Sequence, residues 1–397
     1  MKLNSPTLFV EINDSEYVFT AIGVTDGQSF SVIEKVTTIH NTINSYKIIN
    51  VLQAQEEIKK NIKIIESKLN HVFEDVIVIL GSFKFSCNSI SGSKKLNSSQ
   101  VLKENISYIL NSLKSTIIEN ENEKTILHIF NSKSVLDGVH VQTLPIGLFG
   151  DFYNHELSFL LIQNSDLKNI RQIFYKNNLN IKKILIKKFV EGTQLIEQND
   201  NLETFFKIKV NKDNSSIIFF DQSSLKFIEY FDFGTNIILQ DIQKVCSINK
   251  EVIYKILDEK VGRNIKEHEV FSENCFPEGC FKKIEKKLIK DIAKARIKEI
   301  AKIIFNKNIN IFSFKKKNCK IYLGIDDKQI IANFKDDFFS FLNEKRHFEI
   351  SLHDGFLNDE TTMRAANLSF FGWKKEAIPV TQIKNSLITR IFKSLFG

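Results

Sequence analysis

Residues 76–81 read Val76-Ile77-Val78-Ile79-Leu80-Gly81, five consecutive apolar side chains closed by a glycine. Four of the five are β-branched, which favours a strand, and the lack of polar alternation favours one buried on both faces. Just upstream, Ile58, Ile62, Ile65 and Leu69 recur at alternating four- and three-residue spacing, the stripe of an amphipathic helix. A helix feeding a doubly buried strand marks a layered α/β domain.

Further upstream, Leu8-Phe9-Val10-Glu11-Ile12 is a short apolar run followed by the turn-like Asn13-Asp14-Ser15. Tyr17–Ile22 and Phe30–Ile33 read as two more strands around a turn at Asp26-Gly27. Downstream, from Phe83 to Gln163, the pattern changes. Ser98-Ser99 is expected to cap a helix over Val101–Leu113, and strand-like runs follow at Thr125–Phe130, Val139–Thr143 and Leu157–Ile162. This stretch reads as a compact inserted subdomain. A helix (Leu167–Tyr175), a strand (Ile181–Ile186) and a meander (Phe205–Val210, Ser216–Phe220, Leu225–Phe231) come next. The meander echoes the opening strands, which points to a duplicated, two-lobed architecture.

Residues 236–306 are expected to be mainly helical. The clearest helix covers Lys287–Phe305, with Leu288, Ile292, Ile297, Ile300 and Ile304 along one side and lysines along the other. Glu273–Gly279 reads as a loop, Lys320–Gly324 as a late strand and Phe334–Leu342 as a late helix.

Composition narrows the function classes. Lys and Arg outnumber Asp and Glu by 55 to 47, a net charge of +8, which suits an anionic surface or acidic peptide. It is not the dense basic stripe of a nucleic-acid binder. No run approaches the roughly 20 apolar residues of a spanning helix, and the N-terminal residues lack the pattern of a secretory signal. The five scattered cysteines lack metal-knuckle spacing, so free thiols are expected. His347, His353 and Asp354 read as polar loop residues, not as a metal site. There are 15 Gly and 4 Pro where average usage would give roughly 28 and 20, so glycine-rich phosphate cradles have little material.

The last residues, after Ser386, form a segregated helical wheel. Leu387, Ile388, Ile391, Phe392, Leu395 and Phe396 share one half, and Ser386, Thr389, Arg390, Lys393 and Ser394 the other. Cations on the polar side of so apolar a face favour an interfacial, membrane-binding helix over the alternative, a helix packing its apolar face back on the core. Its apolar side chains are worth roughly 1.5–3 kcal/mol each on burial, before the cost of ordering the helix. Ala377–Gln382 reads as the start of a tether.

Several strings then converge on a family. Leu144-Pro145-Ile146-Gly147-Leu148-Phe149-Gly150, the Ala295-Arg296 and Glu299-Ile300 pairs, and Ala365-Ala366-Asn367-Leu368-Ser369-Phe370-Phe371-Gly372 occur in an order that resembles the FtsA family of bacterial cell-division proteins, in the actin superfamily. The resemblance covers nearly the whole length. It implies an α/β, actin-like (ribonuclease H-like) two-lobed fold with an FtsA-type inserted subdomain and a C-terminal amphipathic helix. The implied divisions are subdomain 1A at 1–82, an inserted SHS2-like subdomain 1C at 83–164, subdomain 2A at 165–235 and 307–376, subdomain 2B at 236–306, a tether at 377–385, and a membrane-targeting helix at 386–397. The implied role is to tether FtsZ filaments, the Z ring, to the cytoplasmic side of the inner membrane at the septum. The implied partners are the FtsZ C-terminal peptide, further copies of the chain, other divisome proteins and the anionic membrane surface, with no nucleic acid.

The family's nucleotide loops are altered here. The Asp-x-Gly strand end is replaced by Glu11-Ile12-Asn13-Asp14-Ser15. The second loop, Lys209–Ser216, has no glycine, and the third, Leu323-Gly324-Ile325-Asp326-Asp327, keeps one. A Cβ in a phosphate-cradling loop blocks backbone donors. Glu11, Asp14, Lys209, Lys212 and Gly324 are therefore the residues of a degenerate nucleotide site. Lys209 and Lys212 could still meet a phosphate as point charges. The expectation is no enzyme, no catalytic residue, no metal site and no resident cofactor. The alternatives are an actin-like ATPase binding ATP and Mg through unconventional residues, or an actin-like pilus or secretion assembly factor.

Overall fold

Strand β1 (Thr7–Ile12) is buried along all but its first residue, and it is the middle strand of the first sheet. It pairs antiparallel with β2 (Glu16–Val24), which pairs antiparallel with β3 (Phe30–Ile39). A two-stranded ribbon, β4 (Ile43–Asn44) and β5 (Lys47–Ile48), leads to helix α1 (Val51–Leu69). Asn50 caps α1 by accepting from the Gln53 amide at 3.0 Å, and Asn70 ends it in the left-handed conformation. Ala54, Ile58, Ile62 and Ile65 are buried on its inner face. The helix returns the chain so that β6 (Asp75–Leu80) lies parallel to β1, and β11 (Asn180–Ile186) later lies parallel to β6. The order is β11-β6-β1-β2-β3.

The computed structural model describes residues 5–24, 30–258, 268–276, 281–315, 319–343, 348–353 and 355–379. They fall into two units. One takes the described residues of Met1–Glu203, Phe220–Phe227 and Phe356–Gly397, and the other those of Thr204–Phe219 and Ile228–Gly355.

Between β6 and β11 the first unit builds a second sheet from β7 (Phe85–Gln100), β8 (Lys124–Leu136), β9 (Val139–Val141) and β10 (Phe149–Gln163). Helix α2 (Lys103–Asn120) covers it, burying Ile109, Leu110, Leu113 and Ile117 against Leu157 and Leu161 of β10. Ser98 and Ser99 do not cap this helix. They end β7, and α2 starts at Lys103, where the Leu102 amide donates to Asn105 Oδ1 at 2.7 Å. Residues 377–379 are likewise not the start of a tether. Strand β17 (Glu376–Pro379) adds antiparallel to the edge of β8, giving the order β17-β8-β10-β7. The strand tolerates its proline because Pro379 stands at the last position. Helices α3 (Asn164–Tyr175), α4 (Lys187–Gln198) and α9 (Asn358–Phe371) complete the described elements of this unit.

The remaining sheet repeats the first. Strands β12 (Phe205–Val210), β13 (Ser215–Asp221) and β14 (Ser224–Phe231) form the meander, β15 (Lys320–Ile325) runs parallel to β12, and β16 (Glu349–Leu352) runs parallel to β15. Its order, β14-β13-β12-β15-β16, has the same sequence logic as β3-β2-β1-β6-β11. Between β14 and β15 lie α5 (Asn236–Cys246), α6 (Lys250–Asp258) and α7 (Lys287–Ala301), and α8 (Lys328–Leu342) joins β15 to β16. Helix α7 buries Ile289, Ala293, Ile297, Ile300 and Ala301. Of the side expected to face inward, Ile297 and Ile300 are buried, as is Ile304 just beyond the helix, whereas Leu288 is exposed and Ile289 and Ala293 take the inner positions nearer the start.

Candidate functional site

In an open α/β sheet, ligands meet the carboxyl ends of parallel strands. At that end of β1, β6 and β11, four groups converge. Glu11 of β1 is 1% exposed, and Lys187, the first residue of α4 after β11, pairs with its Oε1. The Asn13 side chain bridges them, donating from Nδ2 to Glu11 Oε1 at 2.7 Å and accepting at Oδ1 from Lys187 Nζ at 3.2 Å. Gly81 follows β6, and a Cβ there would lie 2.3 Å from Asn13 Oδ1, so glycine is needed for the amide to fit. Burial pushes the Lys187 ammonium down, but the carboxylates of Glu11, Glu191 and Glu16 hold it above the ordinary lysine range.

The second unit has its own strand ends. Residues Asn211–Asn214 turn between β12 and β13, with the Asn211 amide donating to the Asn214 carbonyl at 2.8 Å. The start of α5 closes over this turn. Thr235 and Asn236 amides donate to the carbonyls of Asn211 and Lys212, both at 2.9 Å. A Cβ at Gly234 would meet those carbonyl oxygens at 2.1 and 2.6 Å. Gly324 is a strand residue within β15, not a turn glycine, and it makes room for the His353 carbonyl. The turn after β15 is Asp326-Asp327. Asp327 accepts from the Gln329 and Ile330 amides at 3.1 Å each, occupying the N-terminus of α8 with a carboxylate of the chain itself. Lys209 reaches Asp326 at 3.5 Å, while Lys212 and Asp14 are exposed.

These arrangements do not fit a metal–nucleotide complex. A phosphate needs free donors, but the Asn13 amide is spent on the Glu16 carbonyl and the Gly81 amide on the Ile12 carbonyl. Glu11 and the Asn13 side-chain carbonyl offer acceptors, and Lys187 already meets both. The α8 N-terminus holds Asp327. Of the residues expected from the sequence, Glu11 is at the centre of a built cluster, Lys209, Lys212 and Gly324 flank the second unit's turns, and Asp14 makes no part of either. Lys187, Asn13 and Gly234 were missed. The signals were present: Lys187-Lys188 directly after an apolar strand, where helix N-termini disfavour cations, and a glycine heading α5. The membrane-helix residues Leu387, Ile388, Arg390, Ile391, Phe392, Lys393, Leu395 and Phe396 lie outside the described residues, as do His347, Asp354 and Cys280. Among the described residues no group of three or more His, Cys, Asp and Glu side chains could hold a metal ion, and no helix is long and apolar enough to cross a membrane.

No protein-family model matches the chain. Over 271 residues it is 21% identical to the cell division protein FtsA of Buchnera aphidicola subsp. Schizaphis graminum, a match taking in 67% of this chain and 64% of that protein. Among solved structures, the PilM-PilN type IV pilus biogenesis complex aligns at a TM-score of 0.51 with 10% identity, over 87% of this chain and 88% of that one. The chain is a divergent FtsA-like protein with the actin-like fold. MreB 5 of Spiroplasma citri, bound to AMPPNP, aligns at a TM-score of 0.43 with 8% identity, over 92% of this chain and 96% of that one.

The strings that carry the FtsA resemblance have local physical roles. In Pro145-Ile146-Gly147-Leu148, Gly147 takes φ +85° at the third turn position, and its amide donates to the Val101 carbonyl. Arg296 of α7 binds Asp241 of α5 and reaches Glu299 at 2.6 Å. Ala365 and Ala366 are fully buried where α9 meets α4 and the first sheet.

Proposed function

We propose that this FtsA-like chain is a non-hydrolysing scaffold that tethers FtsZ filaments to the cytoplasmic face of the inner membrane at the septum and helps assemble the divisome. The observation that carries the reading is the sequence identity with FtsA over 271 residues. Residues 236–306 receive the FtsZ C-terminal peptide. The helix of residues 386–397 binds anionic lipid through Leu387, Ile388, Ile391, Phe392, Leu395 and Phe396, with Arg390 and Lys393 toward headgroups. One such helix binds weakly, and self-association into filaments supplies avidity. The spent amides and the lysine at Glu11 support a protein that works without ATP hydrolysis.

The test is recruitment of FtsZ to anionic vesicles by the full chain. Recruitment is expected, and its loss on deleting residues 387–397, with peptide binding intact, assigns the anchor. A full chain that binds neither vesicles nor the FtsZ peptide overturns the reading. The likeness to the PilM-PilN complex favours a second reading, a pilus assembly factor, which capture of a pilus assembly protein in place of FtsZ would support. Micromolar binding of Mg-ATP by calorimetry would instead favour the ATPase.

A further inference from the structure

We propose that the turn at Ile309–Phe314 is a second lipid-contact site, an apolar wedge flanked by lysines that rests on an anionic membrane surface. From Ile300 to Ile325 the chain carries Lys302, Lys307, Lys315, Lys316, Lys317 and Lys320, with no Asp, Glu or Arg. In the middle of this basic stretch stands a 3-10 turn, Ile309–Phe314. Such a turn has three residues per revolution, so Ile309 and Phe312 lie one above the other on a single face. They are 84% and 69% exposed. The opposite side is anchored in the second unit, where Ile311 is fully buried and the Phe314 ring stacks on Phe219 at 4.9 Å.

The wedge is held in place by its flanks. Asn308 accepts from the Asn310 amide at 2.9 Å, and its Nδ2 donates to Glu229 Oε2 at 2.6 Å and to the Ile304 carbonyl at 3.1 Å. Asn310 Nδ2 donates to Glu229 Oε1 at 2.9 Å, so the turn itself engages both oxygens of that carboxylate. Lys315 is engaged as well, donating to the carbonyls of Phe305 and Asn306. Lys307 is exposed, and Lys316 and Lys317 lie outside the described residues. Fixed by this backbone, Ile309 and Phe312 lose little freedom on meeting a partner. The chemistry around them selects lipid. Lysine acts as a point charge suited to phosphate headgroups, whereas peptide carboxylates are matched best by the fork of arginine, which the segment lacks. Two apolar side chains and a few cations bind weakly alone. The site therefore adds avidity to the C-terminal helix without replacing it.

Co-sedimentation of the full chain with phosphatidylglycerol/phosphatidylcholine vesicles, and with phosphatidylcholine vesicles alone, supplies the test. Ile309→Ser/Phe312→Ser is expected to unfold at the wild-type midpoint and to bind the phosphatidylglycerol vesicles about tenfold more weakly. Lys307→Gln is expected to lose about fivefold on those vesicles and nothing on phosphatidylcholine. Phe312→Trp is expected to be quenched by brominated phosphatidylglycerol beyond the level that Trp373 sets in wild type. That quenching reads insertion directly, even where the double variant fails to fold. Unchanged vesicle binding by either substitution, or no added quenching of Phe312→Trp, overturns the proposal. So does a double variant that keeps its lipid affinity and loses FtsZ-peptide binding or self-association, which assigns the wedge to a protein partner. A full chain that binds neither vesicle overturns both this site and the anchor. Deleting residues 387–397 tests the anchor separately. If that deletion binds like wild type, the anchor is removed, and the substitutions at 309 and 312 still decide the wedge.

Discussion

His155 of β10 lies directly across the sheet from Gly92 of β7, on the face covered by α2. A Cβ at Gly92 would approach Ile109 of α2 to 2.7 Å, so the glycine lets the helix sit down over the histidine. His155 is fully buried and neither ring nitrogen has a hydrogen-bond partner. Burial lowers its pKa to about 4.

That pair makes the chain acid-labile. The unfolded histidine takes up a proton near pH 6.5 and the folded one only near 4, so stability is full above pH 6.5 and falls as the pH drops toward 4. The loss is on the order of 3 kcal/mol. Denaturant melts across this range should show the slope, and His155→Leu should flatten it. A slope of the same size in the variant would exclude His155 as its source.

Strand β17 is held by a buried ionic cluster. Glu376 accepts from His128 Nδ1 at 2.8 Å and lies 3.8 Å from Lys183 Nζ, which also donates to the Leu368 carbonyl at 3.0 Å. Burial raises the Glu376 pKa, but Lys183 and His128 lower it further, so the net shift is downward. Its contribution is present above the ordinary carboxylate range and is lost as pH falls through the lowered value. Glu376→Ala leaves Lys183 buried and unpaired, and should cost about 3–5 kcal/mol in urea unfolding.

The backbone approach at Gly234 should be equally unforgiving. Gly234→Ala places a methyl against two carbonyl oxygens, and overpacking of this kind costs about 1–3 kcal/mol. Hydrogen exchange should locate the change at the Thr235 and Asn236 amides, which bond the 211–214 turn.

A Cβ at Gly192 would lie 2.2 Å from the Phe220 ring. Unlike a backbone clash, this one is reparable. Gly192→Ala should destabilise by about 1–3 kcal/mol, and Phe220→Leu in the same chain should recover part of it. A double-mutant cycle measures the coupling.

The sequence made the sheets legible and left the pairings across them hidden. Val76–Leu80 was readable because burial on both faces demands an unbroken apolar run, and the echo after Thr204 was readable from Phe205-Phe206 and Ile217–Phe220. Glu11 was readable as the carboxylate of the first loop. Its neutralisation by Lys187 was not, because the two are 176 residues apart and no local pattern links them. Ser98 and Ser99 misled for a related reason. Serine suits a helix cap, yet here Asn97 and Ser98 take left-handed φ of 53° and 60° at a register break in the edge strand β7, and Ser99 resumes the pairing opposite Gly150. Residues 377–379 read as a tether because four-residue strands carry too little periodicity to register.

Strand β17 also gives the chain a mechanical character. Its ladder to β8 is antiparallel, with Glu376 opposite Phe130 and Pro379 opposite His128. Tension applied beyond Pro379 along the strand axis would stretch these bonds together, in shear, instead of peeling them one by one. Glu376, clasped by His128 and Lys183 at the far end, would resist slippage. Traction on the C-terminal residues is thus delivered to the β7–β8–β10 sheet, making that sheet the part of the molecule that feels the pull.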